Sequence, residues 1–154
     1  MGSGLAIRQV PPSMKEITVE SHTTISIIDD DDAVRMATAS LVRSLGFQTT
    51  IFASAEEFLQ SQQVQTSACI ITDIQMPGMN GVEMQSALRA AGNNIPMIFM
   101  TAFPEDNIRR QAFEAGAAGF LIKPFEGDQI LACLDKAIGA GSRGAENHTL
   151  PGSD

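Results

Sequence analysis

Four carboxylates stand in a row at Asp29-Asp30-Asp31-Asp32, directly after the apolar run Thr24-Ile-Ser-Ile-Ile28. A second apolar run, Ala68 to Thr72, stops at another acid, Asp73, and Met76-Pro77-Gly78 follows closely. A third, Pro96 to Thr101, ends on a hydroxyl, and a fourth, Gly119 to Ile122, ends on Lys123-Pro124. If these four ends meet, they assemble clustered carboxylates, one hydroxyl and one amine. Two unit charges about 4 Å apart cost roughly 4 kcal/mol at an effective dielectric near 20. Either one acid keeps its proton or a cation sits among them. Hard oxygen donors suit Mg²⁺, which takes one or two carboxylates and retains waters. Mg²⁺ with open positions recruits phosphoryl oxygens, and a carboxylate can attack phosphorus to give an aspartyl phosphate. Lys123 would then hold a phosphoryl oxygen by charge and Thr101 by hydrogen bond.

Each feature has a plainer reading. An acid run after a strand can cap the next helix and meet its positive end, a role expected of Asp31 or Asp32. Asp73 alone could be a loop acid, Thr101 a strand residue and Lys123 a solvated charge. Their joint position at four strand ends favours a site.

The intervening sequence supplies the scaffold. Val34, Thr38, Leu41, Val42 and Leu45 recur at helical spacing before Gly46. Thr49 to Phe52 reads as a strand, and Ser54-Ala-Glu-Glu57 as a capping box opening a short helix to about Gln62. Helices are expected from Val82 to Ala91, from Pro104 to Ala115 and from Glu126 to Ile138, with Pro104 suited to a first helical position. Strands and helices thus alternate five times, implying a parallel sheet covered on both faces. The fold class is α/β, a flavodoxin-like (βα)5 doubly wound sheet in the order 2-1-3-4-5, with function gathered at the carboxyl ends of the strands. Residues 1–22 and 139–154, rich in Gly, Ser and Pro, read as flexible segments flanking one domain at 23–138.

Composition limits the alternatives. The chain has 154 residues and a net charge of −8, which argues against direct nucleic-acid binding. No apolar run reaches the ~18 residues of a membrane span and no signal peptide is visible, so a cytoplasmic location is expected. Cys69 and Cys133 read as small apolar residues in a reducing compartment.

The chain resembles a response-regulator receiver domain of the CheY-like superfamily, the phosphoacceptor of two-component signalling. The resemblance runs from about Thr24 to Ile138. It rests on Ile28-Asp-Asp30, Asp73-x-x-Met-Pro-x-Met-x-Gly81, Thr101-Ala102 and Lys123-Pro124-Phe125. Phe52-Ala-Ser-Ala-Glu-Glu-Phe-Leu59 looks like receivers of the nitrogen-fixation regulator type. The resemblance implies that Asp73 accepts a phosphoryl group from a histidine kinase or phosphotransfer protein. Asp30 and Asp73 would bind Mg²⁺ directly, Asp29 would help through water, and the main-chain carbonyl of Gln75 would be a further ligand. Pro77 and Gly78 would form the turn that holds this carbonyl toward the metal. Lys123-Pro124 would be a cis peptide aiming the lysine inward. Thr101 and Phe120 would be the switch pair, and Gln75 and Phe103 would tune phosphate lifetime. The output would leave through the fourth predicted helix, the fifth strand and the last helix, to a protein target or to a second copy as a homodimer. Met36, Ser40 and Arg43, on one side of the first helix, are expected to help dock the kinase.

The expected function is therefore a phosphorylation-controlled switch rather than an enzyme, one that assists its own phosphorylation and dephosphorylation. It would be free-standing, or alternatively the receiver portion of a larger transcriptional regulator. The rival from another class is a Mg²⁺-dependent aspartyl phosphohydrolase. A haloacid-dehalogenase-type enzyme would carry a second Asp where Gln75 stands. A flavin protein of the same fold would need a Ser/Thr-rich loop where the four acids stand.

Overall fold

The computed structural model describes residues 23–103 and 105–139. The expectations for segments 1–22 and 140–154, and for Pro104, lie outside the described residues. Five parallel strands form one sheet in the order β2-β1-β3-β4-β5, as the βα alternation predicts. They are β1 (Thr24–Ile28), β2 (Gln48–Phe52), β3 (Cys69–Asp73), β4 (Met97–Thr101) and β5 (Gly119–Ile122). The helices are α1 (Asp32–Ser44), α2 (Ala55–Leu59), α3 (Gln63–Thr66), α4 (Gly81–Ala90), α5 (Asp106–Glu114) and α6 (Gly127–Leu134). A π-helical turn, Asp135–Gly139, continues α6. The fourth predicted helix is thus α5 and the last is α6. Among the described residues no helix is long and apolar enough to cross a membrane.

Side-chain alternation along the strands divides the core in two. Ile25, Ile27, Cys69, Ile71, Ile98, Met100 and Leu121 pack with Ala39 and Val42 of α1 and Ile130 and Leu134 of α6. Ile28, Ile70, Met97 and Phe99 pack on the other face with Phe58 of α2, Met84 and Leu88 of α4 and Ala112 of α5. Every residue of β3 and β4 is buried, and each large apolar side chain so placed contributes roughly 1.5–3 kcal/mol. The same phase carries past the strand ends. Asp29 and Asp73 continue the series of Ile27 and Ile71, and Lys123 that of Leu121, toward α1 and α6. Thr101 continues Met97 and Phe99 toward α4 and α5, the face that Phe120 shares.

The short helix expected to run to about Gln62 is broken in two. Ser61 Oγ donates to the Phe58 carbonyl at 2.7 Å and accepts from the Gln63 amide at 3.1 Å, and this local bonding competes with the helix. The Ser54 cap is present, its hydroxyl accepting from the Glu57 amide at 3.1 Å. Glu57 reaches back one residue further than a capping box requires, to the Ala53 amide at 3.1 Å. Both cysteines are thiols: Cys69 is buried and Cys133 half-buried.

Candidate functional site

The four consecutive acids have four different surroundings. Asp29 extends the β1 ladder through its own amide, which donates to the Phe52 carbonyl at 3.1 Å. Its side chain is wholly buried. One carboxylate oxygen accepts from the Asp31 amide at 3.0 Å and the other from Lys123 Nζ at 3.0 Å. Asp30 is exposed at the rim. Asp31 caps α1, accepting from the Val34 amide at 3.1 Å, which settles the choice between Asp31 and Asp32. Asp32 pairs with Arg35 in the first turn of α1.

Asp73 closes β3 and is 7% exposed. Its Oδ1 accepts from the Gln75 amide at 3.2 Å and its Oδ2 from Lys123 Nζ at 2.8 Å. Lys123 leaves β5 through a cis Lys123–Pro124 peptide, as the resemblance implies. Its ammonium bridges Asp29 and Asp73. Burial pushes the Asp73 carboxyl above the ordinary aspartate value; the Lys123 hydrogen bond and charge pull it down without cancelling that, and the Asp29 charge adds to the rise. Burial alone would lower the Lys123 ammonium, but hydrogen bonds and charge from Asp73 and Asp29 raise it above the ordinary lysine value.

Asp29, Asp30 and Asp73 each offer a carboxylate oxygen, and these oxygens lie within 4.8 Å of one another. Three hard donors at that spacing fit a divalent cation, and the lysine already seated between two of them shows where positive charge is favoured.

Thr101, buried at the end of β4, is already engaged. Its hydroxyl donates to Gln75 Oε1 at 3.0 Å, with the Phe103 carbonyl as a longer alternative at 3.3 Å, and accepts from the Phe103 amide at 3.0 Å. Phe103 meets the site through its backbone; its side chain is 64% exposed. Phe120 is half-buried, with the Phe113 ring 6.0 Å away and the Arg109 guanidinium 5.6 Å from its centroid.

The loop behind Asp73 is held at many points. Gly78 has φ +77°, the positive value the turn requires. Asn80 and Glu83 form a capping box at the start of α4. At Gly81 the backbone passes so close that a Cβ would lie 2.7 Å from the Asp73 carbonyl oxygen and 3.2 Å from Ile74 Cα. Gly81→Ala is therefore expected to cost about 2 kcal/mol of stability, because backbone rather than a flexible side chain must give way. A urea midpoint unchanged by this substitution would refute the close approach.

Three features went unnoticed in the sequence reading. Arg35 donates to the Asp29 carbonyl at 2.7 Å, and only its i,i+3 pairing with Asp32 was legible. Glu56 accepts from the Met79 amide at 3.0 Å, and the doubled glutamate of Ser54-Ala-Glu-Glu57 was its only signal. A groove of about 510 Å³ runs beside Lys123, walled by Val34, Ala37 and Leu41 of α1 and by Ala102, Pro124 and Phe125. Met36, Ser40 and Arg43 are exposed and do not line this groove.

Acids from two strand ends, bridged by a lysine from a third across the carboxyl edge of a 2-1-3-4-5 sheet, describe an α/β domain with an acidic site at its topological switch point. The response regulator receiver domain family matches residues 25–135, and the chain belongs to that family, the receivers of two-component signalling. It is 37% identical over 116 residues to the response regulator protein TodT of Pseudomonas putida, covering 75% of this chain and 51% of TodT. It is 38% identical over 115 residues to the transcriptional regulatory protein FixJ of Azorhizobium caulinodans, covering 75% of this chain and 54% of FixJ. The crystal structure of FixJ-N superposes with a TM-score of 0.70 at 33% identity, covering 77% of this chain and 95% of that one. The chain spans about half the length of the curated relatives it matches.

Proposed function

We propose that the chain is a phosphorylation-controlled switch in which Asp73 accepts a phosphoryl group from a histidine kinase or phosphotransfer protein. The observation that carries this reading is the Lys123 ammonium, 2.8 Å from Asp73 and 3.0 Å from Asp29, at the edge where three carboxylates gather. Asp29, Asp30, Asp73 and the Gln75 main-chain carbonyl would hold Mg²⁺, which when bound neutralises charge on the incoming phosphoryl oxygens. An Asp73 oxygen attacks phosphorus as the donor N–P bond breaks, and the bonding pair leaves with the imidazole nitrogen. Lys123 stays on the new phosphoryl group by charge.

Thr101 must exchange acceptors to join it, giving up Gln75 Oε1 for a phosphoryl oxygen. Phe120 stands on the same face of the sheet and would give up Phe113 and Arg109 to turn inward. To carry a population from 1:99 to 99:1 the phosphate must favour the active state by roughly 5.5 kcal/mol. Lys123 and Thr101 each form a charge-assisted bond to it, and such bonds are about twice as strong as neutral ones. Gln75 and Phe103, beside Thr101, would set phosphate lifetime. The exposed Phe113, Ile122 and Leu131 of α5, β5 and α6 would present the output, to a protein target or in a homodimer. The chain would act as a phosphoacceptor without turnover of small phosphoesters.

Incubation with a small phosphodonor and Mg²⁺ is expected to add one phosphoryl group by intact mass, and chelation of the metal to prevent it. A wild-type chain of unchanged mass would overturn the reading.

A further inference from the structure

We infer that Glu56 is a positioning residue for the metal: by holding the Met79 amide, it keeps the loop after Asp73 folded so that the Gln75 carbonyl faces the acidic cluster. This rests on the Mg²⁺ reading above.

The contact joins residues 23 positions apart, from the first turn of α2 to the middle of the loop, at 3.0 Å. The carboxylate also lies against Gly78, where a Cβ would stand 2.8 Å from Glu56 Oε2. A side chain at position 78 would push the carboxylate off, so the glycine serves this contact as well as the positive φ. The loop is fastened on either side of it. The Gln75 amide donates to Asp73 at 3.2 Å, the Asn80 amide to Glu83 at 2.9 Å and the Gly81 amide to the Ile74 carbonyl at 2.9 Å. Pro77 has no N–H to contribute. Glu56 therefore secures the stretch between these anchors.

The helix that delivers the carboxylate is itself fixed. Ala55 and Phe58 are fully buried, Ser54 caps the helix, and Glu57 ties its start to Ala53. Among the described residues the hydrogen bond from α2 to this loop goes to Met79 rather than to Asp29, Asp30, Asp73 or Gln75, so its influence passes through the loop backbone.

Calorimetric Mg²⁺ titration of wild type, Glu56→Ala and Glu56→Gln, with amide exchange at Met79, tests this. Glu56→Ala is expected to weaken Mg²⁺ binding by about three- to tenfold, below the roughly 10–100-fold typical of partners bonded directly to metal ligands because it acts through the loop backbone, and to speed Met79 exchange. Glu56→Gln keeps an acceptor oxygen without the charge and is expected to stay within about twofold of wild type in both readings. Equal weakening in the two variants would overturn the inference, since loss of charge alone would then explain it. Unchanged affinity in Glu56→Ala would overturn it too. A wild-type chain with no Mg²⁺ affinity would instead sink the reading on which the inference rests, and the metal role of Glu56 with it.

Discussion

Asp73→Asn is expected to take phosphoryl uptake from one group per chain to none, read by intact mass after incubation with a small phosphodonor and Mg²⁺. An amide lacks the charged oxygen that attacks phosphorus, and no neighbouring acid is placed to substitute. Both Asp29 oxygens are engaged and the side chain is buried. Asp31 is committed to the α1 cap and Asp32 to Arg35. Asp30 is exposed, and the Lys123 ammonium donates to Asp29 and Asp73 instead. The loss is expected without collapse of the fold. Burial raises the Asp73 pKa, so its ionised form is the one the folded state disfavours. An acid raised in this way contributes stability below its unfolded pKa and loses it as pH rises through the folded pKa. Asn carries no such charge, so the variant should melt at or above the wild-type temperature at neutral pH, and the gap should close toward acid. Undiminished labelling of the variant, or label mapped to Asp30, would remove Asp73 as the acceptor.

The strand ends were legible because each apolar run stops on a polar residue, and the phase of the run tells where that residue points. Asp29 keeps step with Ile25 and Ile27, so the inward acid could have been chosen from the pattern alone. Gly119–Ile122 falls where expected, and the sheet order follows from the βα alternation. The break after α2 was not legible, because Ser61 is an ordinary surface residue until its hydroxyl finds the Phe58 carbonyl and the Gln63 amide. The groove beside Lys123 depends on how α1 packs against Pro124 and Phe125, a spacing no linear pattern contains. The Thr101–Gln75 hydrogen bond was hidden for a related reason. The resemblance implies a role toward the phosphate for each residue, and the structure shows them bonded to one another.

That bond and the Lys123 bridge hold the two side chains on opposite faces of the sheet. Thr101 is restrained on the α4 and α5 face by a neutral acceptor, a modest tie of about 0.5–1.5 kcal/mol that a phosphoryl oxygen can outbid. Lys123 is restrained on the α1 face by two carboxylates, a stronger tie that need not break, because the same ammonium can serve Asp73 before and after modification. The switch proposed above is therefore asymmetric: the lysine stays and the threonine moves.

Lys123→Ala isolates the lysine's part. Removing the ammonium leaves Asp29 and Asp73 facing each other without the cation that joins them. The expected loss at neutral pH without Mg²⁺ is about 2 kcal/mol from urea midpoints, less than the ~3–5 kcal/mol for breaking a wholly buried pair. The reduction follows from partial wetting, since the Lys123 and Asp73 side chains are 16% and 10% exposed. The wild-type lysine has its pKa raised by its two acids, so its contribution is fully present below the ordinary lysine value and is lost only as pH climbs through the raised one. The deficit of the variant should accordingly persist through neutral pH and shrink in acid, where protonated carboxyls no longer repel. A ligand at 100 times its Kd adds about 2.7 kcal/mol to any folded state that binds it, so Mg²⁺ should narrow the deficit only by as much as the variant binds it more tightly than wild type. The variant should also bind Mg²⁺ more tightly than wild type, because the competing positive charge is gone. Its phosphoryl uptake should fall by roughly 100-fold, as when one donor to a developing charge is deleted. Tighter metal binding alongside slower transfer is a combination that simple misfolding would not produce. Weakened Mg²⁺ binding in this variant would mean that Lys123 shapes the acidic cluster rather than competing for its centre.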